Sequence, residues 1–230
     1  MAHKVRERPM MTRFLIALNV IGFLWEIKVG GPGVLSISGG NLERVLEEGS
    51  LYPAAVLHDG QWWRIFTSAF LHGGLLHIGV NMLSLWFLGR FMEYVIGPWR
   101  MLLVYVVSLV AAGLGVVYFS PPLVPTVGAS GAIFGLFGAL FAIGFKLGKP
   151  GMELIRANVG ILVLNLIITF TVPAISWQAH ISGLLAGFVL TFVIYAPARR
   201  VQPVVVDRST GVPLETEYES PRDRPPGQVP

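Results

Sequence analysis

The chain has 230 residues, of which 53% are hydrophobic and 13% charged, with a mean hydropathy of +0.65 and a formal net charge of +4. That balance excludes an ordinary soluble domain and makes the lipid bilayer the solvent. Cysteine is absent, which removes disulfide frameworks, thiolate nucleophiles and cysteine metal sites. The basic residues are scattered along membrane-flanking segments with no aromatic-interleaved patch, so nucleic acid is not an expected partner.

Residues 1–10 carry Lys4, Arg6 and Arg8 and read as a cytoplasmic N-terminus. Six apolar runs follow, near residues 11–28, 75–95, 101–119, 129–146, 155–173 and 178–197, each of a length that crosses a bilayer as a helix. The first has the shortest uncharged core, Phe14 to Trp25, so Glu26 and Lys28 are expected to snorkel to an interface. Basic flanks, and no small-residue cleavage site after Trp25, favour a retained helix over a removed signal peptide. Residues 29–74 are too many for a simple connection. Asn41 is placed to cap a short helix running through Glu48, and Tyr52, Trp62 and Trp63 belong at headgroup level, so this stretch reads as an interfacial loop. No Asp, Glu, Lys or Arg occurs between Arg100 and Lys146, or between Arg156 and Arg199, and each interval holds two spans. Residues 198–230 are rich in Pro, Arg, Asp and Glu, with little to bury, and read as a disordered cytoplasmic tail. The organisation is therefore a short N-terminus, a six-helix membrane domain over residues 11–197, and a tail.

Orientation follows from the Lys and Arg near the span ends. With the N-terminus inside, the cytoplasmic face collects Lys4, Arg6, Arg8, Arg13, Arg90, Arg100, Lys146, Lys149, Arg156, Arg199 and Arg200, and the outer face only Lys28, Arg44 and Arg64. Both termini are then cytoplasmic. The second, fourth and sixth spans start at the outer face, and each carries its most conspicuous polar residues in its first turns: His77 and Asn81, Ser130, and His180. Polar groups inside a span cost free energy, so each is a functional candidate. Here they lie at one depth.

Ser130, in Gly128-Ala129-Ser130-Gly131, stands where a loop becomes a helix, and its backbone N–H belongs to an unsatisfied first turn suited to an oxyanion. Taken alone it also reads as a plain N-cap serine, and His180 alone as a core histidine satisfied by a carbonyl. Gly131, Gly135 and Gly138 on one helix, and Gly183 and Gly187 on another, allow the close backbone approach that a Ser–His pair requires. His77 and Asn81 share a face of the second span and read either as paired hydrogen-bond donors or as an interhelical polar clamp. No Asp or Glu is assigned to the outer half of any span, so the pair lacks a base-orienting carboxylate.

Taken together, Trp63-Arg64, His77-Ile-Gly-Val-Asn81, Gly128-Ala-Ser-Gly131 and Ala179-His180-Ile-Ser-Gly183-Leu-Leu-Ala-Gly187 resemble the rhomboid intramembrane serine proteases, from about Gly60 to Tyr195. The resemblance implies an all-α membrane protein with a six-helix rhomboid-like bundle and a first extracytoplasmic loop partly embedded in the membrane. It implies Ser130 as nucleophile and His180 as general base and acid, with His77, Asn81 and the Ser130 N–H as oxyanion hole and Gly128 letting the loop fold back. Trp63, Arg64 and Glu93 become structural residues. One departure is Phe134, where some members have a tyrosine packed on the catalytic histidine, so stacking is kept and a hydroxyl lost. Substrates would be single-span transmembrane proteins cut in the bilayer of the cell membrane near its outer face, with a small residue before the cut and no metal or organic cofactor. Two other readings are a small transporter, which requires polar residues through the full depth of some helices, and a catalytically silent relative that binds membrane helices. The inner halves of the spans hold only Glu93, Asn158 and Asn165, which disfavours the transporter.

Overall fold

The computed structural model describes residues 9–37 and 43–196. Asn41 and residues 1–8 and 197–230 lie outside the described residues, and with them the expected cap, most of the N-terminal segment and the tail. Besides two short 3-10 helices, Pro32–Leu35 and Ser68–Phe70, nine α-helices are described: α1 Met10–Gly30, α2 Glu43–Gly49, α3 Pro53–Leu57, α4 Arg64–Thr67, α5 Leu75–Ile96, α6 Pro98–Phe119, α7 Ser130–Leu147, α8 Lys149–Thr171 and α9 Trp177–Ile194. Six of them, α1 and α5 to α9, are long and apolar enough to cross a membrane. Among the described residues the only extended pairing is an isolated bridge between Leu51 and Thr126.

Several boundaries differ from those expected. Helix α6 starts at Pro98, three residues early, because Gly97 turns the chain at φ 84° and proline is accepted in a first turn. Helix α8 starts at Lys149, so the charges of Glu153 and Arg156 lie inside its first two turns, and it stops before Pro173, which disfavours helical backbone at Val172. Helix α9 ends at Ile194, short of 197.

Helix α7 is the centre of the bundle and is 72% buried. A Cβ added to Gly183 would overlap the Gly131 carbonyl, one on Gly187 the Gly135 carbonyl, and one on Gly138 the Leu184 carbonyl. The α7 and α9 backbones therefore touch, which only glycine at these positions permits. Helix α8 lies at the edge, with Gly151 and Thr169 its only buried residues.

The loop ahead of α5 is folded against this core. Arg64, 7% exposed, donates to the carbonyls of Ser50 at 2.7 Å and Glu47 at 2.8 Å and to Gln61 Oε1, and lies 4.7 Å over the Trp63 ring. Its neighbour Ile65 fills the space over Gly113, so α4 sits directly on α6. Trp62 and Trp63 stay about half exposed. At the other end of the bundle, Glu93 accepts from the Met11 and Thr12 N–H groups, at 3.0 and 2.9 Å, and from the Thr12 hydroxyl at 2.7 Å. Helix α1 has no side-chain cap of its own, and Glu93 satisfies its first turn from α5.

Glu26 corrects the snorkelling expectation, whereas Lys28 is exposed as expected. Because α1 continues to Gly30, Glu26 lies within the span, fully buried, and accepts the His72 backbone N–H at 2.8 Å. It is also a carboxylate inside the half of α1 expected to be outer, where none was assigned. A buried backbone N–H needs a partner, and in this loop the inward glutamate supplies it.

Candidate active site

Ser130 opens α7 and is half-buried. The preceding loop is fixed by the Gly128 N–H, which donates to the Ser68 carbonyl at 2.8 Å, and by the paired Leu51 and Thr126 backbones. Gly128 has φ 122°, a region that side chains disfavour, and a Cβ there would lie 2.8 Å from His77 Cε1 and 3.7 Å from Ser130 Oγ. The His77 ring and the Ser130 hydroxyl thus border one small space that Gly128 keeps open.

His180 stands in the first turn of α9, whose N-terminus is capped by Ser176 accepting from the Ala179 N–H at 3.2 Å. His180 is 6% exposed, and its Nε2 lies 2.7 Å from Ser130 Oγ. The Phe134 ring, one turn along α7 from Ser130, stacks on the imidazole with centroids 4.0 Å apart and planes 12° from parallel. The glycine contact of α7 with α9 sets this spacing: Gly131 faces both Ala112 and the Ala179 carbonyl, leaving no room for a side chain between the two helices.

His77 Nδ1 accepts the Gly73 N–H at 3.0 Å. In the neutral ring the hydrogen is then on Nε2, the atom beside Gly128, so His77 presents a donor there. Asn81 is buried and uses one amide hydrogen on the His77 carbonyl at 2.8 Å, which leaves one to give. The Ser130 N–H is in a first turn and has no intrahelical partner. A cavity of about 30 Å³ is lined by Ser68, Gly128, Gly131, Ala132 and Ala179, among others, and so includes the chain neighbours of Ser130 on either side. Among the described residues no three His, Asp or Glu side chains are arranged to hold a metal ion.

Two contacts escaped the sequence reading. Thr169, 3% exposed on α8, has its Oγ1 2.7 Å from His180 Nδ1. A hydroxyl in the last turn of the fifth span was the available signal. The second is His72, 1% exposed just before α5, whose ring meets that of His77 edge-on at 5.3 Å. Burial, aided by His77, pushes its pKa down to about 3.

A family model for the rhomboid domain matches residues 59–197. The chain is 36% identical over 193 residues to the putative rhomboid protease YdcA of Bacillus subtilis, covering 82% of this chain and 90% of that one. It is 34% identical over 184 residues to the rhomboid protease GluP of the same organism, covering 79% of this chain and about a third of GluP. Intramembrane proteolysis is the general activity of the family, though one relative, 33% identical over 174 residues and 74% of this chain (48% of its own length), is named inactive RHOMBOID-like protein 8, from Arabidopsis thaliana. With six membrane-length helices and this match over more than half its length, the chain is a multi-pass membrane protein that belongs to the rhomboid family.

Proposed function

We propose that the protein is an intramembrane serine endopeptidase in which Ser130 attacks the scissile carbonyl of a membrane-spanning substrate and His180 is its general base and acid. The 2.7 Å contact between Ser130 Oγ and His180 Nε2, inside an apolar bundle, carries this reading. His180 Nε2 takes the Ser130 proton as the Oγ–carbon bond forms. It then returns the proton to the departing amine as the peptide bond breaks. Water releases the acyl group by the same exchange run in reverse. The negative oxygen formed at each tetrahedral stage is met by the Ser130 N–H, His77 Nε2–H and the free Asn81 amide hydrogen. Phe134 holds the imidazole plane with its face alone.

The reading extends to substrate and setting. Substrates would be single-span membrane proteins reaching the site laterally from lipid. The 30 Å³ cavity beside Gly128 and Gly131 suits a small side chain next to the cut, since a volume of roughly 10 to 15 Å³ already holds one water. The charge bias of the loops supports cytoplasmic termini with Ser130 near the outer face, and a plasma-membrane setting belongs to the same proposal. The transporter reading loses support, because Asn158 and Asn165 donate to the Leu154 and Ile161 carbonyls of their own helix instead of lining a path. A silent relative remains the competing reading within the family, and activity separates the two. In proteoliposomes, wild-type protein should cut a single-span substrate carrying a small residue near its outer membrane boundary, and Ser130→Ala and His180→Ala should not. Cutting that persists in Ser130→Ala would overturn the assignment.

A further inference from the structure

We infer that Thr169 is a positioning residue that sets the tautomer of His180 and points its free nitrogen at Ser130; this rests on the proposed roles of Ser130 and His180. Thr169 Oγ1 lies 2.7 Å from the Asn165 carbonyl and 2.7 Å from His180 Nδ1. A carbonyl only accepts, and a hydroxyl has one hydrogen, so that hydrogen goes to Asn165. Oγ1 therefore meets His180 as an acceptor, and Nδ1 must carry the imidazole hydrogen. A neutral imidazole has one N–H, so Nε2 is left as a lone pair, 2.7 Å from the Ser130 hydroxyl. This is the one arrangement in which Ser130 donates to His180, as a general base requires. The other tautomer would aim an N–H at the nucleophile.

The division of labour around the ring supports this role. Phe134 stacks on its face at 4.0 Å and fixes the plane, while leaving rotation within that plane unconstrained. Contacts at the two ring nitrogens, Thr169 at one and Ser130 at the other, fix the rotation. Apart from Gly151, Thr169 is the only buried residue on α8, whereas Thr171, two residues on, is exposed and bonds its own backbone. The one side chain of α8 that is fully buried meets the base.

The test uses the full-length protein with Thr169→Val, which keeps the shape and loses the acceptor, and Thr169→Ser, which restores it. Nitrogen NMR of histidine-labelled protein near neutral pH should show His180 protonated at Nδ1 in wild type and in Thr169→Ser, with Nε2 protonation appearing in Thr169→Val. Cleavage of a single-span substrate should lose about tenfold in kcat in Thr169→Val, with KM and thermal midpoint close to wild type, and recover in Thr169→Ser. Wild-type His180 protonated at Nε2, or Thr169→Val with unchanged tautomer and kcat, would overturn the inference. Because the NMR readout needs no substrate, a protein that fails to cleave but shows the Thr169-dependent tautomer sinks the protease reading and not this one.

Discussion

Helices α7 and α8 are consecutive spans joined at Gly148, yet most residues of the first are buried and only Gly151 and Thr169 of the second. The difference lies in their small residues. Helix α7 presents Gly131, Gly135 and Gly138 to the glycines and carbonyls of α9, so two backbones lock together without a side chain between them. Helix α8 presents Val159, Ile161, Leu164, Ile167 and Phe170 outward, 41% to 62% exposed, as a lipid-facing helix does. In lipid such apolar residues gain nothing by packing inward, since the tails outside are equally apolar. Ser130 and His180, the proposed nucleophile and base, thus sit on the two helices whose spacing is least adjustable. The least buried helix contributes a single hydroxyl to His180. Preorganised chemistry needs the first arrangement, because an error of 1 Å between reacting groups is costly.

The strongest way to break this comparison is to wedge the locked pair. Gly187→Val, whose new side chain meets the Gly135 backbone, should lower stability by at least about 3 kcal/mol and abolish cleavage, as read by unfolding in detergent and by substrate turnover. Retained folding and activity would show that the α7–α9 contact is not what holds the site. Asn81→Ala should reduce turnover by about 3 kcal/mol of transition-state stabilisation, with substrate affinity near wild type, as measured by separate kcat and KM values. A loss confined to KM would remove Asn81 from the oxyanion role.

Acid tests the loop ahead of α5, outside both helices. His72 has its pKa pushed from 6.5 to about 3 by burial first and by His77 second. The unfolded chain takes up a proton below about 6.5 while the folded chain does not until about 3. Stability is therefore fully present above 6.5 and falls as pH drops through that window, with this residue contributing a slope of at most about 1.4 kcal/mol per pH unit. His72→Gln should flatten that part of an unfolding-midpoint series taken against pH. The smallest effect belongs to the lipid face of α8: Ile161→Ala, at a residue 51% exposed, should change stability by no more than about 0.5 kcal/mol in the same unfolding assay.

Much of this was legible in the chain because a bilayer makes simple demands. An apolar run long enough to span shows itself by the absence of charge, as between Arg100 and Lys146, and Ser130, His77, Asn81 and His180 stood out because they interrupt such runs in their first turns. What the pattern does not carry is rotation about a helix axis. Glu26 near a span end could face water or protein, and it faces the His72 N–H. Thr169 and Thr171 are alike in sequence, and only the packing of α8 turns the first toward His180 and the second outward. Sharp turns were a further gap: Gly97 reverses the chain directly into Pro98, so α6 begins beside the Trp99 and Arg100 that looked like its flank.

The most direct test of the account is reaction with a serine-directed fluorophosphonate, with the adduct located by mass spectrometry. Wild-type protein should be labelled at Ser130, Ser130→Ala should take up no label, and His180→Ala should react only at the rate of an unactivated serine. Equal labelling of all three proteins would contradict the assignment of Ser130 as nucleophile and His180 as its base.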